Sequence, residues 1–414
     1  MRSRAITVID QTIREGMQHR GIVFSQIERQ TILDFQEELG VDICQAGYAP
    51  AHITEQEKIR YLNQIVQQRG YAVRVAAMGR ASIHDVDALV STGVTDFHLH
   101  AHIPSTAGEQ QLQSALNKIK ESVQALRKRV PSSKISIAVL DIGAFSTATS
   151  QAATPSSELF QRTTSFLMKD LGIDILSLPD TSGTMAPDSF HDAIKGVVSG
   201  SDLSSSISTT QISVHCHNDL GMASANTLMG VKAGATVVEL SALGIGERNG
   251  IGDLFTVARL LKHQGYQIRL ETDNIESFRA YYQYVSDICK SQTQEPLLCY
   301  NTPFFGESAR THVAGTHAGS GFGLFRQQKE KPGGEKSLKD SDEIKEEYYL
   351  NVLCGRQLVR KYLESMAIPY LPDQLDIITE KIKSESATLG RRLEKEEIIQ
   401  AVSHAAAVGL KALG

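Results

Sequence analysis

No Cys-x-x-Cys pair occurs in this chain; its five cysteines, Cys44, Cys216, Cys289, Cys299 and Cys354, are scattered along 414 residues. That excludes a disulfide framework and is the pattern of reduced thiols in a cytoplasmic protein. No run approaches the ~20 apolar residues of a membrane span. The basic start, MRSRAITVIDQTIREG, returns to charge too soon for a signal peptide. Neither sign of charge dominates: 42 Lys and Arg mix with 47 Asp and Glu for a net −5, which offers nothing to a nucleic acid. What remains is an ordinary globular composition, 41% hydrophobic and 21% charged.

Apolar β-branched runs alternate with amphipathic stretches as far as about residue 265. Strands are expected at 5–10, 41–45, 71–78, 95–103, 134–141, 174–180, 211–217 and 236–243. Helices are expected between them, for example Ser25–Leu39, Glu55–Arg69, Gln110–Arg129 and Gly221–Ala233. Glycines 40, 70, 93, 172 and 234 stand where helices should stop. Eight βα units fit a (β/α)8 barrel. A doubly wound open sheet would carry a Gly-rich phosphate loop after its first strand, and none follows AITVID. The expected layout is a barrel over 1–270, then 271–330 with one helix and a Gly-, Ala- and His-rich segment. A charged loop and a mostly helical region follow over 331–414.

The chemistry concentrates in VHCHNDLG, where His215 and His217 stand two residues apart and so share a strand face. Two convergent imidazoles at a strand end make half of a divalent-metal site. In a barrel, catalytic groups come from the C-terminal strand ends. Those ends bring Asp10 to Gly16, Gln45, His100 and His102, Asp141, Asp180 and Thr181, and the GIGERNG segment toward one mouth. A carboxylate and two imidazoles leave coordination positions open for a substrate that chelates through adjacent oxygens, such as a 2-oxo acid. Arg14 could stabilise an enolate or alkoxide, with a surface Arg14–Glu15 ion pair as its bland alternative. His100 and His102 could instead fill the barrel interior, and Asp180 and Thr181 could cap the next helix.

QTIREGMQ, VHCHNDLGMASANTLMGVKAGA, LGIGERNG and THVAGTHAG occur in this order. Together with CGRQLVRKYLES they resemble the homocitrate synthase and isopropylmalate synthase group of the DRE-TIM metallolyases, the homocitrate synthases most closely. The resemblance implies a Claisen-type condensation of an acyl-CoA, usually acetyl-CoA, with a 2-oxo acid. A 2-hydroxy-2-carboxymethyl acid and CoA are the products. It implies Glu15, His215 and His217 as ligands of a divalent metal (Zn, Mg or Mn) and Arg14 as the oxyanion-stabilising group. Thr181 would bind the oxo-acid carboxylate. His317 would be the base or its helper, ahead of His312, delivered from the partner of a domain-swapped homodimer, with Glu247 supporting it or the CoA side. A leucine-responsive regulatory domain is not expected. A carbon–carbon lyase of the same barrel, or an inactive binding relative, is the alternative.

Three departures from the group's pattern bear on the substrate. Gln45 stands where the group has Glu. VLDIGAFS keeps Asp141 but has Leu140 in place of Glu and no Arg nearby, so 2-oxoglutarate is not the expected substrate. Downstream of His317 the sequence is unlike the group's, leaving Tyr348 and Tyr349 as candidates for its active-site tyrosine. Gln45, His100, His102 and Asp141 are therefore expected to line an altered oxo-acid pocket.

Overall fold

The structure is a computed structural model and describes residues 5–145, 155–200, 210–295, 311–312 and 347–411. Eight parallel strands form a closed barrel: β1 (Ala5–Asp10), β2 (Ile43–Tyr48), β3 (Arg74–Arg80), β4 (Asp96–Ala101), β5 (Lys134–Val139), β6 (Ile175–Asp180), β7 (Gln211–Cys216) and β8 (Val237–Leu240). Each pairs with its sequence neighbour, and β1 closes the ring by pairing with both β8 and β2. The fold class is as expected, though β2 and β3 run two or three residues further toward the mouth than the apolar runs suggest. Ile9, Ile43, Ala76, Ile175 and Val237 form a small interior cluster, and a larger apolar layer lies between the sheet and its helices.

Local signals explain the helices that matter to the mouth. A single turn, α1 (Thr12–Gly16), follows β1 directly. Its first residue is held by Asp10, whose Oδ1 accepts from the Thr12 N–H at 2.7 Å and from the Thr12 hydroxyl. In α2 (Gln26–Leu39), Ser25 and Glu28 cap each other reciprocally, and Gly40 ends the helix at φ 78°. From this helix Arg29, fully buried, pairs with the equally buried Glu55 of α3 (Ile53–Arg69) and donates to the Ala46 carbonyl. Breaking such a pair leaves an uncompensated buried charge, at a cost of about 3–5 kcal/mol. The pair sits behind a β-bulge in β2 between Gln45 and Gly47. A Cβ at Gly47 would come 2.8 Å from Glu55 Oε2, so the bulge needs glycine there.

Beyond β8 come α4 (Leu254–His263) and α5 (Ile275–Thr293). From α5 the buried Tyr281 hydroxyl donates to Asp10 Oδ2 at 2.8 Å, so this helix also braces α1. The last part contains α6 (Arg356–Ser365), α7 (Leu375–Leu389) and α8 (Lys395–Lys411). Helix α6 is preceded by Asn351, which is used for docking. Its amide donates to the Met17 carbonyl at 3.0 Å, and its Oδ1 accepts from the Leu353 N–H. These helices have a core of their own, including Leu358, Leu363, Ile378 and Ile398. His317, the segment THVAGTHAG after His312, and the charged loop lie outside the described residues. His312 itself falls in a short strand pairing parallel with Tyr348. No described helix is long and apolar enough to cross a membrane, and Cys44, Cys216, Cys289 and Cys354 are buried free thiols.

Candidate active site at the mouth of the barrel

A cavity of about 520 Å³ opens at the C-terminal ends of the strands, between the barrel and α6–α7. Its floor carries the expected triad. One donor atom each from Glu15, His215 and His217 lies within 4.8 Å of the others, and all three residues are buried. The strand argument holds: the two imidazoles face each other with Nε2 atoms 3.2 Å apart. Two nitrogens at that distance need a proton or a cation between them. Behind His215, Nδ1 lies 3.3 Å from Glu239 Oε2, which turns the Nε2 lone pair toward the cavity. Glu239 is held in turn by Gln11 (2.6 Å), Ser177 (2.6 Å) and Ser213 (2.8 Å). Burial alone would push its carboxyl up, but hydrogen bonding and charge from His215, then the Ser177 bond, bring it down to about 2.

Glu15 occupies a close cradle. A Cβ at Gly246 would meet Glu15 Cγ at 2.7 Å, and the Glu247 N–H donates to Glu15 Oε1 at 3.2 Å. Two imidazoles and a carboxylate, buried and converging, fit a divalent cation as a three-donor set. Arg14 forms an ion pair with Glu15 and is only 8% exposed, so the surface-pair alternative does not hold. Its guanidinium also donates to three amide oxygens, Gln45 (2.6 Å), Gln18 (2.9 Å) and Gln11 (3.2 Å).

Thr181 lines the cavity; its hydroxyl oxygen accepts from the Asp141 N–H at 2.8 Å, leaving the hydroxyl proton free to point elsewhere. Asp180 does cap the following turn, accepting from the Thr184 and Met185 N–H groups, and burial raises its carboxyl to about 6. The turn is latched by buried Arg248, which donates to Asp219 at 2.7 Å and to the Thr181 carbonyl at 2.6 Å.

Gln45 and His100 reach the cavity, but His102 and Asp141 do not. His102 lines a neighbouring cavity that shares Arg80, His100 and Leu140 with the first. Asp141 turns back to Ser182, whose hydroxyl donates to it at 3.1 Å. Glu247 is wholly buried beside Glu15 and is not among the lining residues; neither are Tyr348 and Tyr349. Tyr349 lies under the Arg392 guanidinium, 4.4 Å from ring centroid to Cζ.

Residues 5–281 match the family model described as HMGL-like. The chain belongs to the HMGL-like family. It is similar to the 2-isopropylmalate synthase of Sulfurisphaera tokodaii, 32% identical over 76% of this chain and 75% of that protein. The homocitrate synthase of Pyrococcus abyssi is 28% identical over 87% and 90%, and the 2-phosphonomethylmalate synthase of Streptomyces rubellomurinus 28% over 96% and 98%. Among solved structures, a Bacillus subtilis HMG-CoA lyase shares the fold, with TM-score 0.56 at 15% identity over 69% of this chain and 95% of that one.

Several residues that build this HMGL-like site escape sequence reasoning. Glu239 left one signal, a lone carboxylate in the apolar strand TVVELSAL. Gln11 and Gln18 look like ordinary polar positions until Arg14 is seen between them. Arg356 and Lys383 reach the cavity from the helical region, and nothing in their local sequence announces it.

Proposed function

We propose that the protein catalyses a metal-dependent Claisen-type condensation of an acyl-CoA, acetyl-CoA first, with a 2-oxo acid. Water then hydrolyses the thioester, so the products are a 2-hydroxy-2-carboxymethyl acid and CoA. The observation that carries this is the convergence of Glu15, His215, His217, Arg14 and Thr181 on one cavity. Its barrel belongs to a family whose relatives are named synthases of this kind. Glu15, His215 and His217 hold a divalent cation, Zn, Mg or Mn, which supplies Lewis acidity at a ketone oxygen and offsets developing negative charge.

The chain's own groups do the rest. Thr181 donates its hydroxyl proton to the oxo-acid carboxylate. Arg14 presents its guanidinium to the oxygen on which charge builds as the new carbon–carbon bond forms. A thioester methyl is a weak acid, so a positioned base is required; His317 takes that role, supplied by the partner of a domain-swapped homodimer. Glu247, whose N–H donates to Glu15, supports His317 or the CoA side. Leu140 lines the cavity where the resembled group has Glu, which supports an oxo-acid preference other than 2-oxoglutarate. A cytoplasmic location is supported by the free cysteines of the described residues.

Thiol release from acetyl-CoA, measured against a panel of 2-oxo acids with Mg²⁺, Mn²⁺ and Zn²⁺, tests the reading. Release should depend on both oxo acid and metal. No release with any combination, from folded protein that binds metal, would sink it. A 2-oxoglutarate rate far above all others would sink the altered specificity alone.

A further inference from the structure

A second cavity, of about 640 Å³, lies beside the first, between the end of β4 and the helix Glu109–Arg129. Arg80, His100 and Leu140 line both, so the two spaces adjoin across these side chains. The histidines of β4 mark the passage. His98 and His100 stand two apart, share a strand face and line the first cavity. His102, one residue past the strand, lines only the second. None of Glu15, His215, His217, Arg14 and Thr181 lines the second cavity, which leaves it a part in recognition.

The lining of this second cavity carries no acidic residue. Ala101, Ile103, Ala115 and Ile119 give it an apolar side on which methylenes can be buried. Two of its polar groups are placed to donate to an anion. Gln111 accepts the Gly108 N–H on its side-chain oxygen at 3.1 Å, which leaves its amide NH2 to donate. Arg80 is taken by Asp85, but Lys118 has no ion-pair partner among the described residues. The first cavity, at about 520 Å³, already encloses a small oxo acid, so only a longer one extends into the second.

We infer that the second cavity takes the far end of the substrate's side chain: the oxo acid is a long one, passing His100 and Leu140 and ending in a carboxylate met by Lys118 and Gln111. The inference rests on the first cavity being the 2-oxo acid site and says which member of that class fills it. His102, beside the tail, and Lys118, at its end, are then specificity-determining residues.

Calorimetric titration of the full-length chain, loaded with the divalent cation it binds most tightly and free of acyl-CoA, tests this with 2-oxosuberate, 2-oxooctanoate, 2-oxoglutarate and 2-oxoisovalerate. The first two have the same chain length and differ in the terminal carboxylate. 2-Oxosuberate should bind more tightly than 2-oxoglutarate by about tenfold or more. Lys118→Glu should remove about tenfold of that affinity and leave 2-oxooctanoate and 2-oxoisovalerate unchanged. Ser114→Trp, which fills the second cavity, should weaken both long acids and spare 2-oxoisovalerate. Both positions are exposed on their helix, so melting temperatures should stay at the wild-type value. 2-Oxosuberate bound no more tightly than 2-oxoglutarate, or an equal loss for all four acids in the variants, would overturn the inference. So would a raised KM for acetyl-CoA in Lys118→Glu with unchanged acid affinities, which would assign the second cavity to the CoA arm. Binding of none of the four acids overturns it together with the reading of the first cavity. Thiol release is a separate readout. Its absence in a protein that binds the acids in the stated order counts against the condensation, not against the long side chain.

Discussion

The two sides of the cavity are built in opposite ways. On the side of β1, β7 and β8 every polar group is tied to another: Glu239 takes three hydrogen bonds as well as His215, and Arg14 is held by three amides and Glu15. On the side of β3, β4 and β5 apolar Met78, Leu99, Ala138 and Leu140 are interspersed with Arg80, His98, His100 and Ser136. The hydrogen bonds tying these polar groups together are sparser. Tyr48 and His100 approach at 3.4 Å, and Arg80 is committed to Asp85. The difference teaches that reaction and recognition are supported separately. A ligand set must be held to within fractions of an ångström, which takes a connected polar network. A wall that selects a side chain needs only volume and a few polar groups.

The strongest way to break the connected side is to remove one donor. His215→Ala should lower metal affinity and reduce thiol release by about 10³-fold or more. Far-ultraviolet circular dichroism should be unchanged, and unaffected turnover would remove His215 from the metal site. Next in size is a backbone test of the Thr181 turn. Gly183 sits at φ 65°, and a Cβ there would meet Asp219 Oδ2 at 2.4 Å and its backbone nitrogen at 2.8 Å. Gly183→Ala should therefore cost about 2–4 kcal/mol in denaturant unfolding, through strain and loss of the Asp219–Arg248 latch. A change below the error of the measurement would show that the turn is not rigid.

The other side is sharpened by adding a cation that no carboxylate already holds. Leu140→Arg should raise the preference for 2-oxoglutarate over 2-oxoisovalerate by about tenfold in kcat/KM, with little effect on metal affinity. No shift in that ratio would place the oxo-acid side chain elsewhere.

The smallest effect is in pH. Burial lowers His98, His100 and His19, the last two to about 4, against an unfolded value near 6.5. Between pH 6.5 and 4 the unfolded chain binds protons that the native state does not, so stability falls as pH falls through that window and then levels. Part-buried His100 should account for on the order of 1 kcal/mol of this fall. His100→Asn should flatten the urea midpoint profile between pH 7 and 4.5, and an unchanged profile would mean His100 titrates normally.

The strand alternation and helix caps made the barrel legible, and the spacing of His215 and His217 made half the metal site legible. Both are local: strand alternation follows from backbone geometry, and a two-residue spacing suffices to put imidazoles on one face. Glu15, three residues beyond Thr12 on a turn held by Asp10 and Tyr281, needed the resemblance to be singled out. His102 and Asp141 were misplaced for one reason: position at a strand end does not say which way a side chain turns once the strand has stopped. Asp141, at φ 58°, turns back to Ser182, and His102 passes β4 into the adjoining cavity.

The sequence by itself therefore determined the architecture, the family and the histidine pair. Only the tertiary structure decided what surrounds them. Gln11, Gln45 and Glu239 lie up to 228 positions apart, yet they form one connected set with Arg14 and His215. Closing β1 against β8 is what brings those distant positions within hydrogen-bond reach. A buried charge takes its meaning from its nearest partners, and in this protein those partners are distant in sequence.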